Sequence, residues 1–157
     1  MRTYVVRRSR NGPPPLVGDR ASRPWAEADV AWIDQYPWYR EGRRQATEVR
    51  VLYDEEAIYL QFICEDRNIY SHVTQVNGPV CKDSCVEFFA STDPMNGAGY
   101  FNFEVNCCRA VHLGYGSRRW RRRLIDPALV SRIAVRSSVA GATRSESPGD
   151  RGWWLAA

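Results

Sequence analysis

The stretch Lys82–Gly116, KDSCVEFFASTDPMNGAGYFNFEVNCCRAVHLGYG, decides the fold, because three alternating segments are parted by two turn-rich ones. In the first, Val86, Phe88 and Ala90 point to one side and Cys85, Glu87 and Phe89 to the other, as the two-residue period of a strand requires. The next segment, Tyr100 to Asn106, sorts more cleanly. Phe101, Phe103 and Val105 make an apolar face, whereas Tyr100, Asn102, Glu104 and Asn106 make a polar one. Amide and carboxylate groups laid out on strand scaffolding form a candidate ligand surface. Between the two strands, Asp93 to Gly99 carries Pro94, Asn96, Gly97 and Gly99, the residues of a turn. A third strand is expected around Leu113.

Working outward, Val49, Val51 and Tyr53 alternate with Arg50, Leu52 and Asp54, a turn follows at Asp54 to Glu56, and Ile58 to Cys64 gives a second strand. That pattern predicts a hairpin. Thr3 to Arg7 reads as a short first strand, and the Pro- and Gly-rich Asn11 to Gly18 as a polyproline-like surface connector. Trp25 to Arg44 follows no single period and is read as short strands or turns. Asp126-Pro127 predicts a short helix with Asp126 as its N-cap and Pro127 at its first position. Ile133 to Val139 reads as a strand and Ala140 to Gly152 as a long loop. Trp153 to Ala157 looks like the opening of a strand without a partner, which would leave a sheet edge or core exposed. The chain is therefore expected to be one domain over residues 1–157, incomplete at its C-terminus.

The segments carrying Asp83, Cys85 to Phe89, Tyr100 to Glu104 with Asn106, and Gly114 to Gly116 resemble the family 9 carbohydrate-binding modules and the related family-9-like proteins. Ala46 to Leu60 is similar to the family's early hairpin, so the likeness runs from about Trp25 to Arg119. The resemblance implies an all-β fold, a jelly-roll-like, DOMON-like sandwich of two mainly antiparallel sheets. It also implies non-catalytic binding of a poly- or oligosaccharide, as an accessory to glycan breakdown. It places polar sugar contacts at Glu87, Glu104 and Asn106. Two positions depart from the pattern: Cys81 stands where binders carry an aromatic platform, and Glu104 stands where the best-known binders have Arg. The family's second platform lies in a C-terminal portion that neither Trp153 nor Trp154 clearly matches.

Composition agrees with a globular β protein. Hydrophobic residues at 44% and charged residues at 25% are ordinary, and 157 residues can bury a core without covalent staples. Six Trp and eight Tyr suit both strands and the stacking of flat rings on pyranose faces. No run has the length of a membrane-spanning helix, and no membrane partner is expected. The five Cys, an odd number, suit free thiols in a reducing compartment, and the first residues lack an apolar leader, so cytoplasm is the default expectation.

Other chemistries use the same residues. Glu87 and Glu104 could serve a glycosidase as acid and base, which needs carboxyl separations of about 5–5.5 Å for retention or about 6.5–9.5 Å for inversion. Met95 and His112 are the ligands a haem-binding sandwich would use. Cys81, Cys85, Cys107 and Cys108, with His72 and His112, lack the spacing of a zinc site. The family resemblance allows structural calcium held by loop oxygens; no other cofactor is expected. The run Arg118 to Arg123 supplies much of the net charge of +4. One short basic loop is more often solvated, or a surface for acidic sugars, than a nucleic-acid site, and no nucleic acid is expected.

Overall fold

In a computed structural model, residues 2–10, 12–37, 39–97, 99–141 and 152–157 are described. Among them the protein is all-β apart from one short helix and three 3₁₀ turns. The strands are β1 (Arg7–Arg8), β2 (Ala31–Ile33), β3 (Thr47–Tyr53), β4 (Ile58–Cys64), β5 (Cys85–Ala90), β6 (Tyr100–Asn106), β7 (Val111–Gly116), β8 (Arg123–Leu124), β9 (Arg136–Ser137) and β10 (Trp153–Ala156). They form two sheets in which all but one of the pairings are antiparallel, the composition of the expected sandwich class.

The chain divides into two compact units. The first holds the sheet ordered β1-β3-β4-β10-β9, with β2 also on β3. Its centre is the predicted hairpin, β3 against β4 from Thr47↔Cys64 to Tyr53↔Ile58. Asp54 closes the turn: its Oδ1 accepts from the backbone N–H groups of Glu56 (2.9 Å) and Ala57 (3.0 Å). On β3 the charged Glu48 and Arg50 are both buried and pair at 2.8 Å, with Arg20 at 3.2 Å from Glu48, so neither charge is left uncompensated. Trp25, Ala28, Leu52 and Tyr59 pack together, and the Trp25 indole N–H donates to Pro15 O at 2.7 Å. The Pro-rich connector is therefore pinned down rather than lying loose on the surface: Val17 O also accepts from Gln61 Nε2 at 2.8 Å.

Three expectations are corrected here. The first strand is only Arg7–Arg8 and joins β3 in parallel, because the opposite half of that edge is taken by β2. The strand predicted over Ile133 to Val139 shrinks to Arg136–Ser137. Most telling, β10 is not an unpartnered strand. It lies between β4 (Trp153↔Cys64 to Ala156↔Gln61) and β9, with Trp153, Leu155 and Ala156 buried. The long loop predicted from Ala140 to Gly152 lies largely outside the described residues.

The second unit is built on Ile69–Ala134 and holds the antiparallel sheet β5-β6-β7-β8. Val86, Val105 and Val111 are cross-strand partners and all are buried, as expected of the apolar face. The predicted helix α1 (Pro127–Val130) is present, capped by Asp126, whose side chain accepts from Ala128 N at 2.8 Å.

Candidate functional site

The site candidates fall on the other face of this sheet, and the register fixes their neighbours. Glu87 stands opposite Glu104, which stands opposite His112. One row along, Phe89 faces Asn102 and Asn102 faces Gly114; one row the other way, Cys85 faces Asn106. Because directly opposed residues hold their Cβ atoms about 4.5–5.5 Å apart, the two glutamates form a like-charged pair on one wall.

The polar face is not the open ladder that alternation suggests. Asn102 and Asn106 are 0% exposed and Glu104 is 9% exposed, whereas Glu87, on the edge strand, is exposed. Period two tells which side a residue takes, not whether another segment covers it. Glu104 is held by Asn102, whose Nδ2 donates to its Oε1 at 2.6 Å. The Glu87 carboxyl is pushed above the usual glutamate range, first by partial burial and then by the Glu104 charge. Arg122, Arg119 and His112 oppose that shift.

Asn106 sits at the closed end. Its carboxamide lies against Ser71 Oγ (3.1 Å), Val73 O (2.8 Å) and Asp83 Oδ2 (2.7 Å), and its Oδ1 accepts from Ala110 N at 2.8 Å. Asp83 Oδ2 also accepts from Val73 N at 3.0 Å. The Asp and Asn of the motif thus lock β6 to the Ser71–Val73 segment. Cys81, at the position of the missing platform, is exposed on the 3₁₀ turn Val80–Lys82 and offers no ring. The neighbouring Cys85 thiol is pushed up to about 12 by burial and by Glu87, Glu104, Cys81 and Asp83, which keeps it protonated and unreactive.

At the open end the face is aromatic and cationic. Phe89 and Tyr100 have ring centroids 5.9 Å apart, and the Arg122 guanidinium lies 5.8 Å from the Tyr100 centroid. Arg122 reaches this place because Gly116 carries no side chain: a Cβ there would come within 2.8 Å of Arg122 Cα. Arg122 Nε donates to Arg119 O at 3.2 Å. Asn102 was read in the sequence only as part of the polar strand face, Arg122 only as part of the basic run, and His112 only as a haem ligand. The available signal was Gly116, on the same face as Glu104, which leaves room for the arginine run to fold against β7.

His112 and Met95 are not brought together. His112 is in register with Glu104, four residues or about 13 Å along β6 from Tyr100, and Met95 lies beyond that end in the turn, 90% exposed. His112 Nδ1 faces Asn77 O at 3.2 Å. Among the described residues no three His, Cys, Asp or Glu side chains are grouped to hold a metal ion.

The model of carbohydrate-binding family 9 matches residues 23–157. Among solved structures, the chain is similar to a Bacteroides uniformis ATCC 8492 protein provisionally described as carbohydrate-binding, with 25% identity and a TM-score of 0.74. That match covers 83% of this chain and 59% of the other, so this chain spans well under two thirds of its structural relative. Among curated proteins none matches. With the family model extending over the hairpin, both sheets and the Glu87–Glu104 face, the chain belongs to carbohydrate-binding family 9.

Proposed function

We propose that this chain is a non-catalytic module that binds poly- or oligosaccharide and serves as an accessory to glycan breakdown. The observation that carries the reading is the face where exposed Glu87 stands beside Glu104, Asn102 and the Arg122 guanidinium. A carboxylate accepts sugar hydroxyls and a guanidinium donates to them, and a sheet holds both with little conformational freedom to lose. Glu87 is the contact residue. Glu104 and Asn102 set its surroundings, and Asn106, buried with its amide engaged, shapes the site without touching ligand.

The family fits a binding role, and the geometry favours it over hydrolysis. A glycosidase acid and its partner flank the scissile bond, whereas Glu87 and Glu104 project from one wall in the same direction. Glu104 is also already engaged by Asn102. Affinity electrophoresis through gels containing soluble glycans should retard the chain, with no release of reducing ends from the same glycans. Glu87→Gln should weaken retardation at least several-fold. Reducing-end release that disappears in Glu87→Gln would establish the enzyme instead.

A further inference from the structure

The run Arg118 to Arg123 takes no part in the charge pairing found elsewhere in the chain. In the first unit arginines are matched with carboxylates, as in Arg2 with Asp34 and Arg7 with Asp29. Among the described residues no carboxylate lies within ion-pair distance of Arg118, Arg119, Arg121, Arg122 or Arg123. Four of these five are exposed, and the fifth, Arg122, is half-buried. Arg122 is fixed yet unsatisfied: its Nε donates to Arg119 O at 3.2 Å, whereas its Nη1 is enclosed without a hydrogen-bond partner. A guanidinium nitrogen withdrawn from water and left unmet is unfavourable until an acceptor reaches the group. Arg119 is set against the Trp120 ring at 5.2 Å. The charges of both Arg119 and Arg122 act on Glu87, so the turn borders the carboxylate face.

We propose that this turn is an acid-binding subsite: the glycan carries a uronate whose carboxylate pairs with Arg119 and Arg122, next to a neutral unit whose hydroxyls meet Glu87. The proposal rests on the carbohydrate-binding reading above and names the class of glycan. The sign of the field follows from number and availability. Five unpaired arginines stand against two glutamates, of which Glu104 is 9% exposed and already accepts from Asn102. An anion approaching the turn is therefore attracted, and a protonated amino sugar is turned away from all but Glu87. A carboxylate also suits the planar guanidinium fork, which binds both of its oxygens. Spacing puts the acid and the hydroxyl contacts on different sugar units. Glu87 lies on β5, one edge of the sheet, and the turn leads into β8 at the other, three strand spacings or about 14 Å away at the backbone. Arg122 reaches inward to Tyr100 on β6, so the two units are neighbours. A polymer charged at every unit is disfavoured, because its next anion would fall against Glu87, and that sets nucleic acid aside. Trp120 and Leu124, 88% and 56% exposed at and beside the turn, would suit the interface of an anionic membrane. The glycan is favoured because the arginines act on the Glu87 face, where acid and hydroxyl groups of one chain can be held together.

The test is calorimetric titration of the full chain with oligosaccharides from glucuronoxylan, xanthan and acidic arabinogalactan, in which uronates are scattered among neutral units. Each is compared with itself after reduction of its carboxyl groups to alcohols. Wild type should bind at least one acidic form roughly three- to tenfold more tightly than its reduced form at low salt, the scale of one or two exposed ion pairs. The advantage should shrink as salt screens it. Arg119→Gln and Arg122→Gln should each lower that ratio, and together bring it to parity. Arg40→Gln, at an exposed arginine of the first unit, removes the same charge and should leave the ratio unchanged. Glu87→Gln should weaken both forms and keep the ratio. Equal binding of the two forms by wild type, or an undiminished ratio in the double variant, overturns the subsite. An equal fall in Arg40→Gln also overturns it, since net charge alone would then explain the preference. Tighter binding of a glucosamine oligomer, of anionic phosphatidylserine vesicles or of a single-stranded oligonucleotide overturns it as well and assigns the turn to that partner. If the reduced forms bind and Glu87→Gln loses affinity while the ratio is at parity, only this inference falls. If wild type binds none of the glycans in either form, the carbohydrate reading falls with it.

Discussion

Glu87 illustrates a residue whose chemistry is at odds with its scaffold. A carboxyl set opposite another carboxylate and partly withdrawn from water binds its proton more tightly in the folded chain than in the unfolded one. The folded state then carries more bound proton just above the ordinary glutamate range. Its contribution to stability is fully present below that range and is lost as pH rises through the raised value. Wild type should therefore lose stability relative to Glu87→Gln between the ordinary glutamate range and neutrality, and the variant should match or exceed wild type at pH 7. Chemical denaturation of both proteins at several pH values between about 3 and 7 measures the difference, since the unperturbed glutamate value lies near 4.3. Wild type gaining stability relative to the variant as pH rises would show that burial and the Glu104 charge do not raise the Glu87 proton affinity. The same substitution should weaken sugar binding, so stability and function part at this position.

Among the elements, β6 carries the sharpest contrast between what was legible and what was not. Its limits, Tyr100 to Asn106, and its two faces follow directly from alternation. The fate of the polar face does not, because a period of two is silent about the segments that arrive from elsewhere in the chain. Asn106 meets Ser71 and Val73, more than thirty positions away in sequence, and Arg122 comes to Tyr100 over a Gly116 that leaves it space. Local turn chemistry, by contrast, was readable at both Asp54 and Asp126, where one side chain bonds backbone within three residues. Replacing Asn106 by Ala would take the amide partner from Val73 O and Ala110 N and leave Asp83 Oδ2 without one of its donors, within a buried cluster. A loss of about 3 kcal/mol is expected, the scale of several unmet buried partners. Urea denaturation should show it, while sugar affinity measured well below the melting transition should stay near that of wild type. A large drop in affinity with unchanged stability would make Asn106 a ligand contact after all.

Over the whole molecule, the connectivity is discontinuous: the first unit opens the chain, the second interrupts it, and the first is completed only by β9 and β10. Sequence patterns could identify β10 as a strand but not its slot, since alternation names a face and never a neighbour. Its slot matters energetically. Leu155 is 0% exposed and stands opposite Phe62, itself 2% exposed, in a strand hydrogen-bonded on both sides. Removing β10 would leave the outer edge of β4 unpaired and strip cover from residues at the centre of the sheet. Pairing across so long a sequence separation also comes late in folding, because loop closure must precede the contacts that reward it. Leu155→Ala deletes three buried carbons where the two neighbouring strands limit collapse into the gap. A cost of about 2–5 kcal/mol is expected, with a cooperative transition at lower denaturant. By rate, the loss should appear mainly as faster unfolding, as befits an interaction formed after the transition state. Stopped-flow unfolding and refolding of the variant measures that partition. Slowed refolding at an unchanged unfolding rate would place β10 in the folding nucleus and reverse the order of assembly argued here.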